Sequence, residues 1–283
     1  MLVTIMQKLF NKILVPVDVA ESSVELVDTA FDFAVKYHCP IHLLYVAPAS
    51  SHPAVVLPGK AACITQKELE QNRQLEYMCQ RVELLSNNTV HAAGSVITGT
   101  WNQGVIAFVK ENKFDLVLIG NKTRILKKGI MDLDADHIAE QTNIPVITVP
   151  CNRRLTTLYS IVIPITDFLP VRRLMYGVYM ALSLNTTIRL LGMENAKTKG
   201  KVHYYLDKAN RLIKDNCDIK VEVETIICNN IAEAVNNSAV HHLPGLVIVN
   251  PGMQTRTQGL IASLLGNIIQ KYAAPPVLAI NPV

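Results

Sequence analysis

Long apolar runs are missing from this sequence. No stretch of about 18 uninterrupted hydrophobic residues occurs, so no membrane-spanning helix is expected. The segment Met1 to Phe10 is apolar in flavour, but it is short and interrupted by Gln7 and Lys8, which argues against a signal peptide. Basic runs are missing too. Lys and Arg never stand more than two in a row and are not interleaved with aromatics, which argues against a nucleic-acid partner. The six cysteines (Cys39, Cys63, Cys79, Cys151, Cys217 and Cys228) form no C-x-x-C and no zinc-like spacing with His. Reduced, mostly packed thiols in a cytoplasmic protein are the expectation. Catalytic signatures are equally scarce: there is no G-x-S-x-G, no G-x-x-x-x-G-K-[ST], no H-E-x-x-H and no S-G-G-x-D-S, so no enzyme is expected.

What the sequence has is hydrophobic mass in short pieces. Hydrophobic residues make up 49% and charged residues 18% of 283, and the net charge of +4 is mild. That length suits two ordinary domains better than one large one. Phe114–Gly120 and its echo Pro244–Asn250 are Val, Ile and Leu runs closed by a turn residue, the pattern of a strand buried on both faces of a parallel sheet. In open α/β sheets ligands bind outside the carboxyl ends of such strands, so the loops after Gly120 and Asn250 are where a site is sought.

In chain order, Lys12–Asp18 reads as a strand, and Glu21–Lys36 as a helix with Val24, Val27, Ala30, Phe31 and Ala34 on one stripe. Strand Ile41–Val46, helix Gln66–Leu85, strand Val90–Ile97, helix Trp101–Lys110, strand Leu116–Ile119, helix Asp136–Thr142 and strand Pro145–Val149 follow. This alternation predicts a parallel sheet with right-handed crossovers. The second half repeats it. Ser160–Thr166 matches the first strand, with Pro164 standing 148 residues after Pro16, and Val171–Leu182 is the next helix. Then come strand Ile188–Gly192, helix Lys201–Lys214, strand Val221–Ile226, helix Ile231–Val240, strand Leu246–Val249 and strand Pro276–Ile280. Two tandem five-stranded α/β units are expected, over 1–150 and 151–283.

The strand ending in Pro16-Val17-Asp18, the helix over Ala30 and Ala34, Leu44-Tyr45-Val46, the Asp115–Gly120 strand and the closing Pro145–Val149 resemble the universal stress protein family. The resemblance covers essentially the whole chain as two copies, the first closer to the pattern. It implies a flavodoxin-like or Rossmann-like α/β sandwich, of the adenine nucleotide alpha hydrolase-like kind, and a role in the stress response. It also implies pairing of copies through edge strands. Here the two halves would pair with each other as an intramolecular pseudo-dimer, Val146–Val149 beside Val277–Ile280, hiding two sticky edges. Further homodimerisation and an unidentified protein partner stay open.

Nucleotide-binding members of the family follow the fourth strand with G-x-x-G-x9-G-[ST], whose glycines let backbone amides approach phosphates. In the first half those positions hold Gly120, Thr123, Leu133 and Asp134; in the second, Asn250, Met253, Ser263 and Leu264. A side chain at Thr123 and a carboxylate at Asp134 would block and repel a triphosphate. The expectation is a non-enzymatic binding or regulatory protein with no cofactor. The alternative is an adenine-nucleotide (ATP or AMP) binder, with slow hydrolysis, using a first-half cleft of Asp18, Val46, Gly120, Thr123 and Asp134. Asp18 is equally a ligand-facing residue or a carboxylate bonded to loop amides. The second half has Thr166 and Asp167, then Gly192 or Met193, at the matching strand ends.

Other features weigh less. Lys122, Arg124, Lys127 and Lys128 form a basic cluster that suits a phosphate, an acidic partner or plain solvent. His241-His242 at a helix end suits the dipole better than a metal. Gly252, Gly259 and Gly266 are out of register for a phosphate cradle. The proline-rich stretch from Ala47 to Lys60 offers a third reading, an extended segment that presents itself to partners.

Overall fold

The computed structural model describes residues 8–18, 21–48, 66–121, 133–150, 153–194, 198, 200–227, 245–251 and 275–282. The first half runs β1 (Ile13–Pro16), α1 (Glu21–Tyr37), β2 (Ile41–Ala47), α2 (Gln66–Leu85), β3 (Ala92–Thr98), α3 (Trp101–Glu111), β4 (Leu116–Asn121), α4 (Ala135–Thr142) and β5 (Val146–Pro150). The second half runs β6 (Ser160–Ile165), α5 (Val171–Leu184), β7 (Thr187–Glu194), α6 (Lys201–Lys214), β8 (Val221–Ile227), β9 (Leu246–Val249) and β10 (Val277–Ala279). The expected helix at Ile231–Val240 lies outside the described residues.

All ten strands belong to one sheet, ordered β3-β2-β1-β4-β5-β10-β9-β6-β7-β8. Each half therefore has the same internal order, with its first strand flanked by its second and fourth. Within each half the ladders are parallel, as β1 with β4 (Ile13 opposite Leu116) and β6 with β9 (Ile161 opposite Leu246). The halves meet in an antiparallel seam, with Thr148 opposite Val277, Ile147 opposite Leu278 and Val146 opposite Ala279. The central strands are apolar on both faces: every residue of β1, β6 and β9 is buried, and in the first half α1 and α2 pack on one face while α3 and α4 pack on the other. The outer strands β3 and β8 are only half covered, and Glu222 and Glu224 punctuate β8 with charge, as edge strands require.

On one face of the sheet the core runs unbroken from one half into the other. Its centre is an aromatic cluster. Phe10, fully buried, lies 5.1 Å from Phe33 and from Tyr37 on α1, and 5.8 and 5.5 Å from Tyr176 and Tyr179 on α5. This cluster explains a departure from the expected α1 stripe. Val27, Ala30 and Ala34 are buried as the periodicity predicts, Val24 and Phe31 pack against the same core while partly exposed, and Leu26, Phe33 and Tyr37 are buried beyond the expected stripe. The helix is rotated so that its face meets the sheet and α5 together. Arg172 adds a polar latch, with Nη1 donating to Asn143 Oδ1 (2.7 Å) and to the Asn281 carbonyl (3.0 Å), and Nη2 to the Asn143 carbonyl (3.0 Å). Asn143 is the left-handed cap of α4, so the latch ties α5 of one half to a helix end of the other.

Candidate functional site

The carboxyl edge of the first half is assembled from the ends of β1, β2 and β4 and the starts of α3 and α4. Continuing the β1–β4 register sets Gly120 level with Val17, one residue before Asp18. The Asp18 amide donates to Ser23 Oγ (3.0 Å), and the Ser23 hydroxyl donates back to Asp18 Oδ1. Ser23 is buried, so this reciprocal pair fixes the loop into α1. Asp18 also faces Tyr45: burial first, then the Asp18 charge, holds the Tyr45 phenol above its usual value. Gln71 Nε2 donates to the Tyr45 hydroxyl (2.7 Å), and Trp101 meets the Tyr45 ring edge-on at 5.7 Å.

Asp134 caps α4, accepting from the His137 amide (3.0 Å), while its own amide donates to Asn102 Oδ1 (2.9 Å). Asp136 puts a second carboxylate in the same first turn. The positive end of the α4 dipole, which elsewhere receives anions, is here furnished with two acids of the chain. Gly120 is not demanded by the packing of the described residues. A methyl group there would stand 3.5 Å from the Leu26 side chain, an ordinary contact.

Asp18, Gly120 and Asp134 lie along one edge. Val46 is fully buried in the core beside Gly104, so its side chain offers nothing to a ligand. Thr123 lies outside the described residues, as do Lys122, Arg124, Lys127, Lys128, Met253, Ser263, Leu264, His241, His242, the three loop glycines 252, 259 and 266, and positions 49–60. Tyr45 and Trp101 escaped the sequence reading. Their signal was an aromatic at a strand end and another opening a helix, both on the carboxyl side. Among the described residues no group of three or more His, Cys, Asp or Glu is placed to hold a metal, and no helix is long and apolar enough to cross a membrane. Cys39 and Cys79 are free thiols pushed up to about 11 by burial.

The second carboxyl edge differs in chemistry. Gly192 lies under α6, where an added methyl group would meet Leu206 at 3.0 Å and Val202 at 3.2 Å, so close helix packing accounts for this glycine. Glu194 is buried at the end of β7, with His203 Nε2 at 2.8 Å from its Oε1. Arg173, on the first turn of α5, is 1% exposed. Its Nη1 donates to the Pro164 carbonyl (2.8 Å), and its guanidinium stands 5.5 Å from the Phe168 ring centre. Burial pulls it down to about 9, still charged at neutral pH. Taking a charge out of water in this way costs several kcal/mol unless a partner offsets it.

The model of the universal stress protein family matches residues 9–150. The chain belongs to that family. A curated universal stress protein of Methanocaldococcus jannaschii is 22% identical over 144 residues, covering 50% of this chain and 84% of the relative. A universal stress protein structure from Archaeoglobus fulgidus superposes over 96% of this chain and 98% of its own, with a TM-score of 0.63 at 14% identity. A protein of unknown function from Pseudomonas aeruginosa does so over 96% and 93%, with a TM-score of 0.62 at 14% identity. Both structural likenesses extend the fold of this universal stress protein across its two halves, and membership marks it as a stress-response protein.

Proposed function

We propose that this universal stress protein acts without catalysis, as a binding or regulatory protein in which the phosphate loop has been lost from both halves. The observation that carries this reading is Asp134. Where nucleotide-binding relatives place a hydroxyl beneath the phosphates, this chain places a carboxylate that already takes the His137 amide and repels a polyanion. Asp136 on the same turn adds to the repulsion. The test is native mass spectrometry of freshly purified protein with nucleotide analysis after denaturation. The bare mass of the chain or its dimer, unshifted by Mg-ATP, is expected; one bound nucleotide per chain would overturn the proposal.

A second reading keeps an adenine nucleotide in the first cleft. The Tyr45–Trp101 pair beside Asp18 favours it, since an aromatic edge next to a carboxylate suits a base and a ribose. On that reading Asp18→Ala abolishes nucleotide binding while circular dichroism stays native; retained binding in the variant would sink it.

A further inference from the structure

The second half carries a guanidinium whose arrangement has no counterpart in the first. The left-handed caps His38 and Asn185, which close α1 and α5, stand 147 residues apart, and that offset makes Arg173 the equivalent of Leu26. Leu26 packs beneath Gly120, at the end of β4. The equivalent of Gly120 at the end of β9 is Asn250. Where the first half has the apolar Leu26 and a glycine, the second half carries the polar residues Arg173 and Asn250 at the equivalent positions.

Arg173 is held on two sides. Nη1 is committed to the Pro164 carbonyl at 2.8 Å, and Phe168 covers a face of the guanidinium. The remaining donors, Nε and Nη2, are buried and have no hydrogen-bond partner among the described residues. These two share one edge of the guanidinium and present parallel N–H bonds, the fork that takes two oxygens of a carboxylate or phosphate. Asn250 Oδ1, at the end of β9, is likewise buried and without a hydrogen-bond partner among the described residues. The electrostatics agree. Arg172 and Arg173 occupy the first turn of α5, where the helix dipole is already positive, and that turn holds no acid. Burial alone, with no neighbouring carboxylate, accounts for the lowered Arg173 value.

We propose that Arg173 is the anchor of an oxyanion-binding site at the carboxyl edge of the second half, taking a carboxylate or phosphate group on its Nε–Nη2 fork. The site is independent of the first cleft, and binding there does not depend on whether that cleft holds a nucleotide.

The experiment uses the full chain in Tris chloride, titrated calorimetrically with inorganic phosphate and, separately, with acetate. One saturable site per chain is expected for at least one probe, and which probe binds distinguishes phosphate from carboxylate ligands. Arg173→Lys keeps the charge and loses the fork, so affinity falls about tenfold or more. Arg211→Met, which removes an exposed surface pair with Asp207, leaves it unchanged. If Arg173 variants fail to fold, nitrogen-15 spectra of arginine Nε in the unaltered protein decide: the probe shifts one slowly exchanging Nε–H. Saturable binding that survives Arg173→Lys undiminished, or the lack of any saturable binding and any Nε–H shift, overturns the proposal.

Discussion

Phe10→Ala tests whether the two halves are one folding unit. Phe10 precedes the first strand, is fully buried, and touches rings from α1 and α5 alike. Truncating a buried phenylalanine to alanine costs about 3–5 kcal/mol, the transfer term plus the cavity left behind. Four aromatic pairs at about 0.5–1.5 kcal/mol each are broken at once, which places the loss toward the upper end without adding to it outright. For a protein of this size each kcal/mol lowers the midpoint by about 2–4 °C, so a drop of roughly 6–20 °C is expected in calorimetry. The shape of the transition is as informative as its position. The unaltered protein should unfold in one step, because its core is continuous across the seam; the variant, with the weld cut, should broaden or split into two. Exposed Tyr204→Ala serves as the control, with a change within about 0.5 kcal/mol. A loss under about 1 kcal/mol with an unchanged single transition would refute the cluster as the coupling element.

Arg172→Ala removes the latch between α5 and the α4 cap, and a stability loss of about 1.5–3 kcal/mol in denaturant titrations is expected. Asp134→Ala strips the α4 cap and should cost about 1 kcal/mol, read from the thermal midpoint. Gly245→Ala should destabilise strongly or prevent soluble expression, because a methyl group there runs into the Ser160 backbone. His42 gives a pH signature. Burial, with Lys12 adding to it, lowers its pKa from 6.5 to about 4, so the folded state prefers the neutral ring. Its contribution is full above pH 6.5 and is lost as pH falls toward 4, because the unfolded chain takes up the proton first. Stability measured across that window should fall less steeply in His42→Gln; an identical slope would remove His42 as the cause.

Much of this architecture was legible in the chain. Pro16 and Pro164, Ile41 and Ile188 mark the repeat, and the apolar runs at β4 and β9 mark strands covered on both faces. Periodicity also set the helices Gln66–Leu85 and Lys201–Lys214 at the limits the structure shows. It failed where one element serves two neighbours. The expected α1 stripe of Val24, Val27, Ala30, Phe31 and Ala34 omits Phe33 and Tyr37, of which Tyr37 stacks on Tyr179 about 140 residues away and Phe33 joins the same cluster through Phe10. No local pattern carries such a contact. Arg173 is not legible as a buried residue from its charge, because a charged residue in a first helical turn normally reads as solvated. Its spacing from Gly177 and Ala181, four and eight residues on, was the sign that it shares their buried face. At the candidate site the strand-end positions Asp18 and Gly120 followed from topology, while the Tyr45–Trp101 contact joins two elements that only folding brings together.

The antiparallel seam has a consequence for how the molecule meets others. Because β10 runs against β5, the strands of one half point up where those of the other point down. The two carboxyl edges therefore open in opposite directions, like the two ends of a double-headed tool. No single small ligand reaches both, and no shared lid closes both. A change in one mouth is sterically silent in the other, so each can carry its own chemistry, Asp18 and Gly120 in one, Arg173 and Asn250 in the other. What the ends still share is the sheet between them, the aromatic cluster beneath its seam and the Arg172 latch, and any message from one to the other must pass through these.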